Sequence, residues 1–495
     1  MFISKSDYLL YKQCPKAIWY KFKTPKVFDK NANQMRLDKG NQVTEHARNL
    51  FPNGSLVPYS SNRDKMASTT KDLIMKGERT IYEAAFGIDG LFVICDILHL
   101  DKDGWKIYEV KSSTSIKERN LDDLAFQYHV VQHFLPIHST LIIHINNKYV
   151  RNGELEVTKL FSITDLTDEL KERIFRIQAD VSNIHSIGYN FSTEPKQDIG
   201  IHCNKYGKED FPCAAKEHCW SHIPEHSVFD ITRIGKKAFD LYYDGITSIS
   251  DVPNDFKLSE AQKVQVFAYK ENRSLIDLNN IKEYLDCFRY PLYFLDFETY
   301  QQTIPLFNGI SPYQQIPFQY SLHIQESSNG DLEHKEFLAK EGTDPRRVLA
   351  ERLTKDIPKG SCSVAFNMAF EKMVLKGLAH NFPDLEDHLM DIHDNMVDLM
   401  VPFQKKWYYK NEMKGSYSIK YVLPALLPND ESLNYQTLTI QNGSMAMEIY
   451  EQLHTYPKEK IETIREHLLA YCKLDTYAMV KVFDHLNSSV QKKSS

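Results

Sequence analysis

The sequence predicts an α/β protein with more than one domain. Three observations predict it. The chain has 495 residues, about three domains at roughly 150 residues each. Apolar runs of strand length, LFVICDILHL (91–100) and YFLDFETY (293–300), sit between turn residues. HLLAYCKLDTYAMVKVF (467–483) repeats its apolar residues at the helical period. A hydrophobic content of 42% with 12% aromatics suits folded cores.

The bulk numbers exclude some classes. Net charge is −6, so there is no global basic signal, and any nucleic-acid contact must rest on local patches. No segment approaches the roughly 20 apolar residues of a membrane helix. The N-terminal stretch carries Asp7 and Lys12 among its apolar residues and does not read as a signal peptide. The expected location is the cytoplasm. Eight cysteines in a reducing compartment argue against a disulfide framework. Cys95, Cys287, Cys362 and Cys472 lie in apolar surroundings and read as core. Cys14, Cys203, Cys213 and Cys219 do not.

In the first half, residues 91–111 read LFVICDILHLDKDGWKIYEVK. Two apolar runs flank DKDG, which is hairpin-turn chemistry. Asp96 falls in the first strand. Glu109 and Lys111 fall two apart in the second and share a face. The hairpin can bring Asp96 close to Glu109. Two carboxylates and a lysine there make a site for a hard divalent cation, with the lysine left to orient or activate a water. A surface hairpin of alternating charge is the plainer alternative.

This stretch, followed by SSTS and LDDLAFQYHVVQ, resembles the RecB-type PD-(D/E)xK nucleases of restriction-endonuclease-like fold. The resemblance implies a glutamine near the site on the next helix, matched by Gln127. It also implies a metal-binding residue from an earlier helix, DKGNQVTEHARNLFP (38–52): Glu45, with His46 as the other candidate. A solvated helix face is the alternative there.

Cys14 precedes this core, and Cys203, Cys213 and Cys219 follow it within 17 residues. That layout suggests a four-thiolate site, for which thiolate chemistry allows zinc or an iron–sulfur cluster. It is similar to the iron–sulfur RecB-like nucleases, including the CRISPR-associated spacer-acquisition nucleases, which implies a 4Fe-4S cluster stapling the ends of the domain. The nine residues between Cys203 and Cys213 are a wider gap than that family shows, which keeps zinc open.

In the second half, YFLDFETY puts Asp296 and Glu298 on one face of a strand. SVAFNMAFEKMVL (363–375) runs from a short strand into a helix with Asn367 and Glu371. In the helix at 467–483, Tyr471 and Asp475 are four apart and share a face. A buried unpaired aspartate there is costly and calls for a cation or a water network. Together these motifs resemble the DEDD exonucleases, DnaQ-like and ribonuclease-H-related, in the tyrosine branch. The resemblance implies that Asp296, Glu298, Glu371 and Asp475 hold two Mg²⁺ or Mn²⁺ ions about 4 Å apart and that Tyr471 positions the attacking water. Glu371 departs from the usual aspartate. An uncharacterised bacterial domain family that ends RecB-like iron–sulfur nucleases carries the same glutamate, with V-D-L and G-S-Y-S-I-K, matched here by VDLMVPF (397–403) and GSYSIK (415–420). Asp398 is expected to cap the helix after it, or else to be an ancillary ligand.

Residues 405–424, KKWYYKNEMKGSYSIKYVLP, interleave lysines with aromatics, as do residues 11–26. That mixture suits single strands, so Lys405, Lys406, Trp407, Tyr408 and Lys410 are candidate nucleic-acid contacts. A half-buried loop with ordinary lysines is the alternative.

The expected organisation is a nuclease domain with an iron–sulfur cluster at 1–223, a helical connector at 224–288 with Ser259 as a helix N-cap, a DEDDy domain at 289–488, and a disordered tail at 489–495. The expected activity is metal-dependent cleavage of DNA, single-stranded or frayed, with 3′–5′ polarity in the second domain. Repair or defence against foreign DNA is the role implied by analogy. RNA processing, and nucleic-acid binding by an inactive second domain, are the alternatives.

Overall fold

The computed structural model describes residues 2–28, 34–189, 193–203, 205–206, 209–210, 213–328 and 330–491. The described chain is mixed α/β. It divides into two units, residues 1–223 with 302–313, and residues 224–301 with 314–495.

The first unit is built on a seven-stranded sheet. Its strands are β1 (Ile3–Ser4), β2 (Ser55–Leu56), β3 (Thr80–Ile88), β4 (Leu91–Leu100), β5 (Trp105–Lys111), β6 (Ile137–Ile145) and β7 (Phe161–Asp165). The spatial order is β2-β3-β4-β5-β6-β7, with β1 added parallel to β4. Helices α1 (Lys5–Gln13), α2 (Pro15–Lys23), α3 (Gln34–Arg48), α4 (Arg63–Met75) and α5 (Glu118–Val131) belong to the same unit. The hairpin expected at 91–111 forms, with Ile97 of β4 opposite Tyr108 of β5. Its turn is held by Asp101, which accepts the amides of Asp103 and Gly104. Both faces of the sheet are covered. Phe126 and Leu124 of α5 pack with Cys95 and Ile107 in one cluster, and Val43 and Ala47 of α3 pack with Ile97 and Tyr108 in another. This double coverage is why these strands read as nearly continuous apolar runs.

The second unit holds a five-stranded sheet of β8 (Leu292–Gln301), β9 (Gln315–Gln325), β10 (Leu332–Leu338), β11 (Cys362–Ala365) and β12 (Met396–Asp398). The order is β10-β9-β8-β11-β12. The β10-β9-β8 part is an antiparallel meander, and β11 and β12 run parallel to β8. β8 is the central strand, which explains its apolar residues on both faces. Helices α6 (Met368–Asn381), α7 (Ile419–Leu426) and α8 (Lys458–Gln491) complete the part that carries the acids.

Residues 224–288 were expected as a connector but lie inside the second unit. Val228, Ile231, Leu241 and Val266 form a small core of their own there. Ser259 caps the helix Glu260–Lys270 through a capping box with Gln262. α8 continues to Gln491, into the segment expected as a tail, and residues 492–495 lie outside the described residues. Among the described residues, no helix is long and apolar enough to cross a membrane.

A buried polar seam fixes α8 against β9. Gln319 donates to the Leu468 carbonyl at 2.8 Å. The Thr476 hydroxyl lies 2.7 Å from both Ser321 Oγ and His323 Nδ1, and Ser321 Oγ lies 2.9 Å from His334 Nε2. These bonds set the height of the helix on the sheet, and therefore where its neighbour Asp475 stands. Burial, with His334 and Lys473 adding to it, lowers His323 from its ordinary value to about 3. A histidine depressed in the fold contributes fully above its unfolded pKa of about 6.5 and loses that contribution as pH falls from there toward about 3. Chemical denaturation at pH 7 and pH 5 is therefore expected to show a loss of roughly 2 kcal/mol from this residue. His323→Asn is expected to flatten the pH dependence in that window. Equal slopes for variant and parent would show that the seam does not titrate.

Candidate functional site

The register of the first sheet lines up three carboxylates. Tyr82 pairs with Ile97 and Ala84 with Cys95, which places Glu83 opposite Asp96. Ile97 pairs with Tyr108, and continuing that register places Asp96 opposite Glu109. These are neighbouring positions on β3, β4 and β5, and the charges of Glu109 and Glu83 both act on Asp96, so the three acids form one row across the strands. Two local departures mark the row. Glu83 adopts φ of 55°, in the left-handed region that non-glycine residues seldom occupy. The Val110 amide donates to Asp96 Oδ2 at 2.7 Å instead of extending the ladder.

Four further side chains meet this row. Lys111 Nζ lies 2.6 Å from both Glu109 Oε1 and Asp123 Oδ2. Lys5 Nζ lies 2.8 Å from Glu109 Oε1 and 3.2 Å from Asp123 Oδ1. Gln127, one helical turn after Asp123 on α5, donates to Glu109 at 2.6 Å and to Asp123 at 2.9 Å. Its Oε1 is buried without a hydrogen-bond partner. The structure thus brings together Asp96, Glu109, Lys111 and Gln127.

Electrostatics separate the acids. Burial, then the charge of Glu109, pushes Asp96 up to about 8. Burial opposes ionisation of Asp123 as well, but Lys111 and Lys5 outweigh it and hold the carboxyl well below its usual range.

Glu45 stands exposed on α3 and His46 half-buried. Glu45 therefore does not join the row. The side chain that α3 sends there is Arg48, 2.7 Å from Glu83. Sequence reasoning missed Lys5, Glu83 and Asp123. Glu83 carried the same signal as Asp96, an acid inside the apolar run TIYEAAFGI. Asp123 stood four residues before Gln127 and was open to the same helical-spacing argument.

Cys14, Cys203, Cys213 and Cys219 line one cavity with Lys16 and His202. Cys14 is both the last cap of α1 and the first cap of α2. The Cys213 amide donates to the Cys203 carbonyl at 2.8 Å, closing the loop between them. The neighbouring sulfurs of Cys14 and Cys203 push His202 up to about 10. Burial resists a thiolate at Cys203, but His202, the Gly200 amide and Trp220 outweigh it and lower its pKa. Cys95, Cys362 and Cys472 are buried, as their surroundings suggested. Cys287 is exposed, because it falls in the turn after the helix Leu278–Leu285.

In the second unit the acids come from three elements. Asp296 and Glu298 stand on β8, opposite Ser321 and Gln319 of β9. Asn367 takes φ of 82° between β11 and α6, a left-handed turn that asparagine tolerates. That turn leads into the first turn of α6, where Glu371 is buried and its Oε2 has no hydrogen-bond partner. Tyr471, Cys472 and Asp475 are buried on α8. Among the described residues, Asp296, Glu298 and Cys472 are the group whose ligand atoms all lie within 4.8 Å of one another.

Burial, then the charges of Asp475, Glu298 and Glu371, holds Asp296 well above the carboxylate range. Burial and Asp475 do the same to Glu298 against the pull of Lys420. Burial raises Glu371 to about 8. It raises Asp475 only to about 6, because Tyr435, Lys420 and Tyr471 oppose it. Tyr435 donates to Asp475 at 2.6 Å. Lys420 Nζ lies 5.4 Å and 5.5 Å from the ring centres of Tyr435 and Tyr471. Tyr435 had no signal in the sequence beyond being aromatic. Asp398 accepts the amides of Asn367, Met368 and Met400 at 2.9–3.3 Å, so it caps the start of α6 as well as the turn after it.

The lysine–aromatic stretch is turned inward. Lys406 is 5% exposed and donates to the Gly415 carbonyl at 2.9 Å. Lys410 donates to the Ala425 carbonyl at 2.9 Å. Tyr408 is buried against His485, and Trp407 packs on Tyr284. Of these five candidate contacts Lys405 alone is exposed. Residues 11–26 are spoken for in a similar way, with Lys12 on Asp180, Lys16 on Glu194 and Lys21 on Asp7.

A family described as "Domain of unknown function (DUF2779)" matches residues 293–418. The match takes in Asp296, Glu298, Asn367, Glu371 and Asp398. The chain is 28% identical over 218 residues to the uncharacterized protein MG366 of Mycoplasma genitalium, covering 40% of this chain and 32% of that protein. It is 24% identical over 245 residues to the MG366 homolog of Mycoplasma pneumoniae, covering 45% of this chain and 36% of that protein. The matches thus span about a third of the length of these curated relatives. No solved structure matches the chain.

The crowding of the second centre has a measurable consequence. Asp296→Asn removes a buried carboxyl that the fold holds far above its ordinary pKa, so at pH 8 in a chelator it is expected to raise the thermal midpoint by a few degrees, about 1 kcal/mol or more. Manganese is expected to stabilise the parent in a concentration-dependent way and the variant much less. A parent more stable than the variant in chelator would show that the carboxylates are not in conflict.

Proposed function

We propose that the chain is a two-centre, metal-dependent nuclease acting on DNA single strands or frayed ends. The observation that carries this is the convergence of Asp296, Glu298, Glu371 and Asp475 in one buried place where, among the described residues, Lys420 is the cation that acts on Glu298 and Asp475. Carboxylate oxygens, one of them Glu371 Oε2 without a partner, are the donor set that a hard divalent cation takes. Divalent ions held there supply a polarised water and stabilise the leaving oxygen of a phosphodiester. The chain's own part is positional. Tyr435 and Tyr471 orient Asp475, the α8 seam sets its height, and the faces of both rings hold the Lys420 ammonium near Glu298. The sheet order β10-β9-β8-β11-β12, an antiparallel meander followed by two parallel strands, supports a ribonuclease-H-related fold for this unit.

The first unit supports a PD-(D/E)xK reading through Asp96, Glu109, Lys111 and Gln127 around one point. Lys111 there is placed to hold a proton or orient a water beside Glu109. The four thiols fit a soft metal group, and a histidine beside two of the sulfurs, raised by them, fits thiolates. Thiolates take either zinc or a 4Fe-4S cluster, and the layout of one cysteine before the domain and three after it supports the cluster.

End-labelled single strands of matched DNA and RNA, incubated with Mg²⁺ or Mn²⁺, test the reading. Asp296→Ala is expected to abolish stepwise 3′ shortening, and Lys111→Ala to remove the remaining cleavage, each by on the order of 100-fold or more. Unaltered cleavage in both variants would remove both centres from the mechanism. Cleavage of RNA alone would move the substrate to RNA. Anaerobically purified protein is expected to be brown with broad visible absorbance, and colourless protein with stoichiometric zinc would refute the cluster.

A further inference from the structure

Lys5 is a lysine of the first centre that no motif accounts for. It is the first residue of α1 and follows Ser4, which pairs with Phe92 of β4, the strand that carries Asp96. Ser4 and Asp7 form a capping box that fixes the start of the helix, and Lys21 holds Asp7 at 2.6 Å. The stem of Lys5 is therefore anchored to the same sheet as the carboxylates, which limits how much order its ammonium must lose or gain.

The two lysines of this centre are placed alike. Lys111 and Lys5 both approach Glu109 Oε1, and each takes a different oxygen of Asp123. Their side chains are 22% and 27% exposed. An ammonium has three donors; Lys111 spends two of them on Glu109 and Asp123, and Lys5 donates one to Glu109 while Asp123 Oδ1 lies 3.2 Å away. Each lysine thus keeps at least one donor beyond these carboxylates, on a side chain that is partly exposed although its ammonium lies deep among the acids. Pure neutralisation of Glu109 and Asp123 requires no such opening. A backbone phosphate has the charge and the oxygens to use both spare donors at once.

We propose that Lys5 is a second phosphate-binding lysine, set across Glu109 and Asp123 from Lys111, and that the two ammonium groups together hold one phosphate of a nucleic-acid strand. The proposal rests on the nuclease reading of this centre. It adds a contact 106 residues away in sequence from the lysine the motif supplies.

The test uses the full-length protein. A fluorescent single strand is titrated in chelator, where nothing is cut, across a range of salt concentrations, with cleavage in Mn²⁺ measured in parallel. Lys5→Met keeps the stem and removes the charge. It is expected to weaken binding and to lower the slope of log affinity against log salt by up to about 0.7, the most that one phosphate contact on a single strand contributes. Lys5→Gln keeps a donor for Glu109 without the charge and is expected to match Lys5→Met, which guards against a merely misfolded methionine variant. Lys5→Arg is expected to restore the slope. Parent-like slope and parent-like cleavage in Lys5→Gln, with cleavage still lost in Lys111→Met, would overturn the role of Lys5 and leave the nuclease reading standing. Cleavage indifferent to Lys111 would overturn both.

Discussion

Carboxylates gathered in an interior need positive charge within a few ångströms, and the two units meet that need differently. In the first, Glu109 and Asp123 are bridged by two lysines at 2.6–3.2 Å, and Glu83 is held by Arg48. In the second, among the described residues, the lysine that acts on the acids is Lys420, beside Glu298 and Asp475, and its ammonium is committed to the Gln441 carbonyl at 3.0 Å and to two aromatic faces. Unpaired charge at such burial is resolved by protonation or by a cation. The raised Asp296, Glu298 and Glu371 show how far protonation goes on its own. The first centre is close to balanced by its own side chains, while the second is short of positive charge.

The scaffolds serve these centres by a few fixed distances. In the first sheet, pairing register brings Glu83, Asp96 and Glu109 to neighbouring positions, and the left-handed turn at Glu83 and the Val110 amide on Asp96 adjust them locally. α5 then adds Asp123 and Gln127 from one face, four residues apart. α1 joins two places that matter, since its first residue is Lys5 and its C-terminal cap is Cys14. A nine-residue helix spans roughly 13 Å, so whatever fixes the thiol cavity also fixes the base of Lys5. In the second unit, the bonds of Thr476 to Ser321 and His323 do the comparable work for Asp475.

What the sequence disclosed was what is periodic and local. The hairpin at 91–111, the central strand at 293–300, the helix through Asp475 and the cap at Ser259 all follow from spacing and turn chemistry within some 20 residues. Lys5 escaped because its partners lie 104 and 118 positions away, and nothing local marks a lysine at a helix start as functional. Glu83 escaped although an acid in an apolar strand is the signal that exposed Asp296. The lysine–aromatic stretch misled for a definable reason. Interleaved lysines and rings look the same whether the amines face phosphates or backbone carbonyls, and here Lys406 and Lys410 are spent on carbonyls. Cys287 misled because apolar neighbours in sequence do not bury a turn.

The glutamate at 371 is best understood through Asp398. Both oxygens of Asp398 are committed to the amides of Asn367, Met368 and Met400, which fastens the start of α6 to β12. An acid so occupied is poorly available to a cation, so the acid that approaches Asp296 and Glu298 from this side must come from α6 itself. α6 begins at the left-handed turn of Asn367, and Glu371 sits in its first helical turn, 3% exposed, with one oxygen free. A side chain from that turn needs reach to meet carboxylates on β8, and glutamate has one methylene more than aspartate. The cost of that reach is rotational freedom, which burial at this position restricts. The longer acid and the capping aspartate are therefore parts of one arrangement, in which Asp398 holds the helix and Glu371 extends from it.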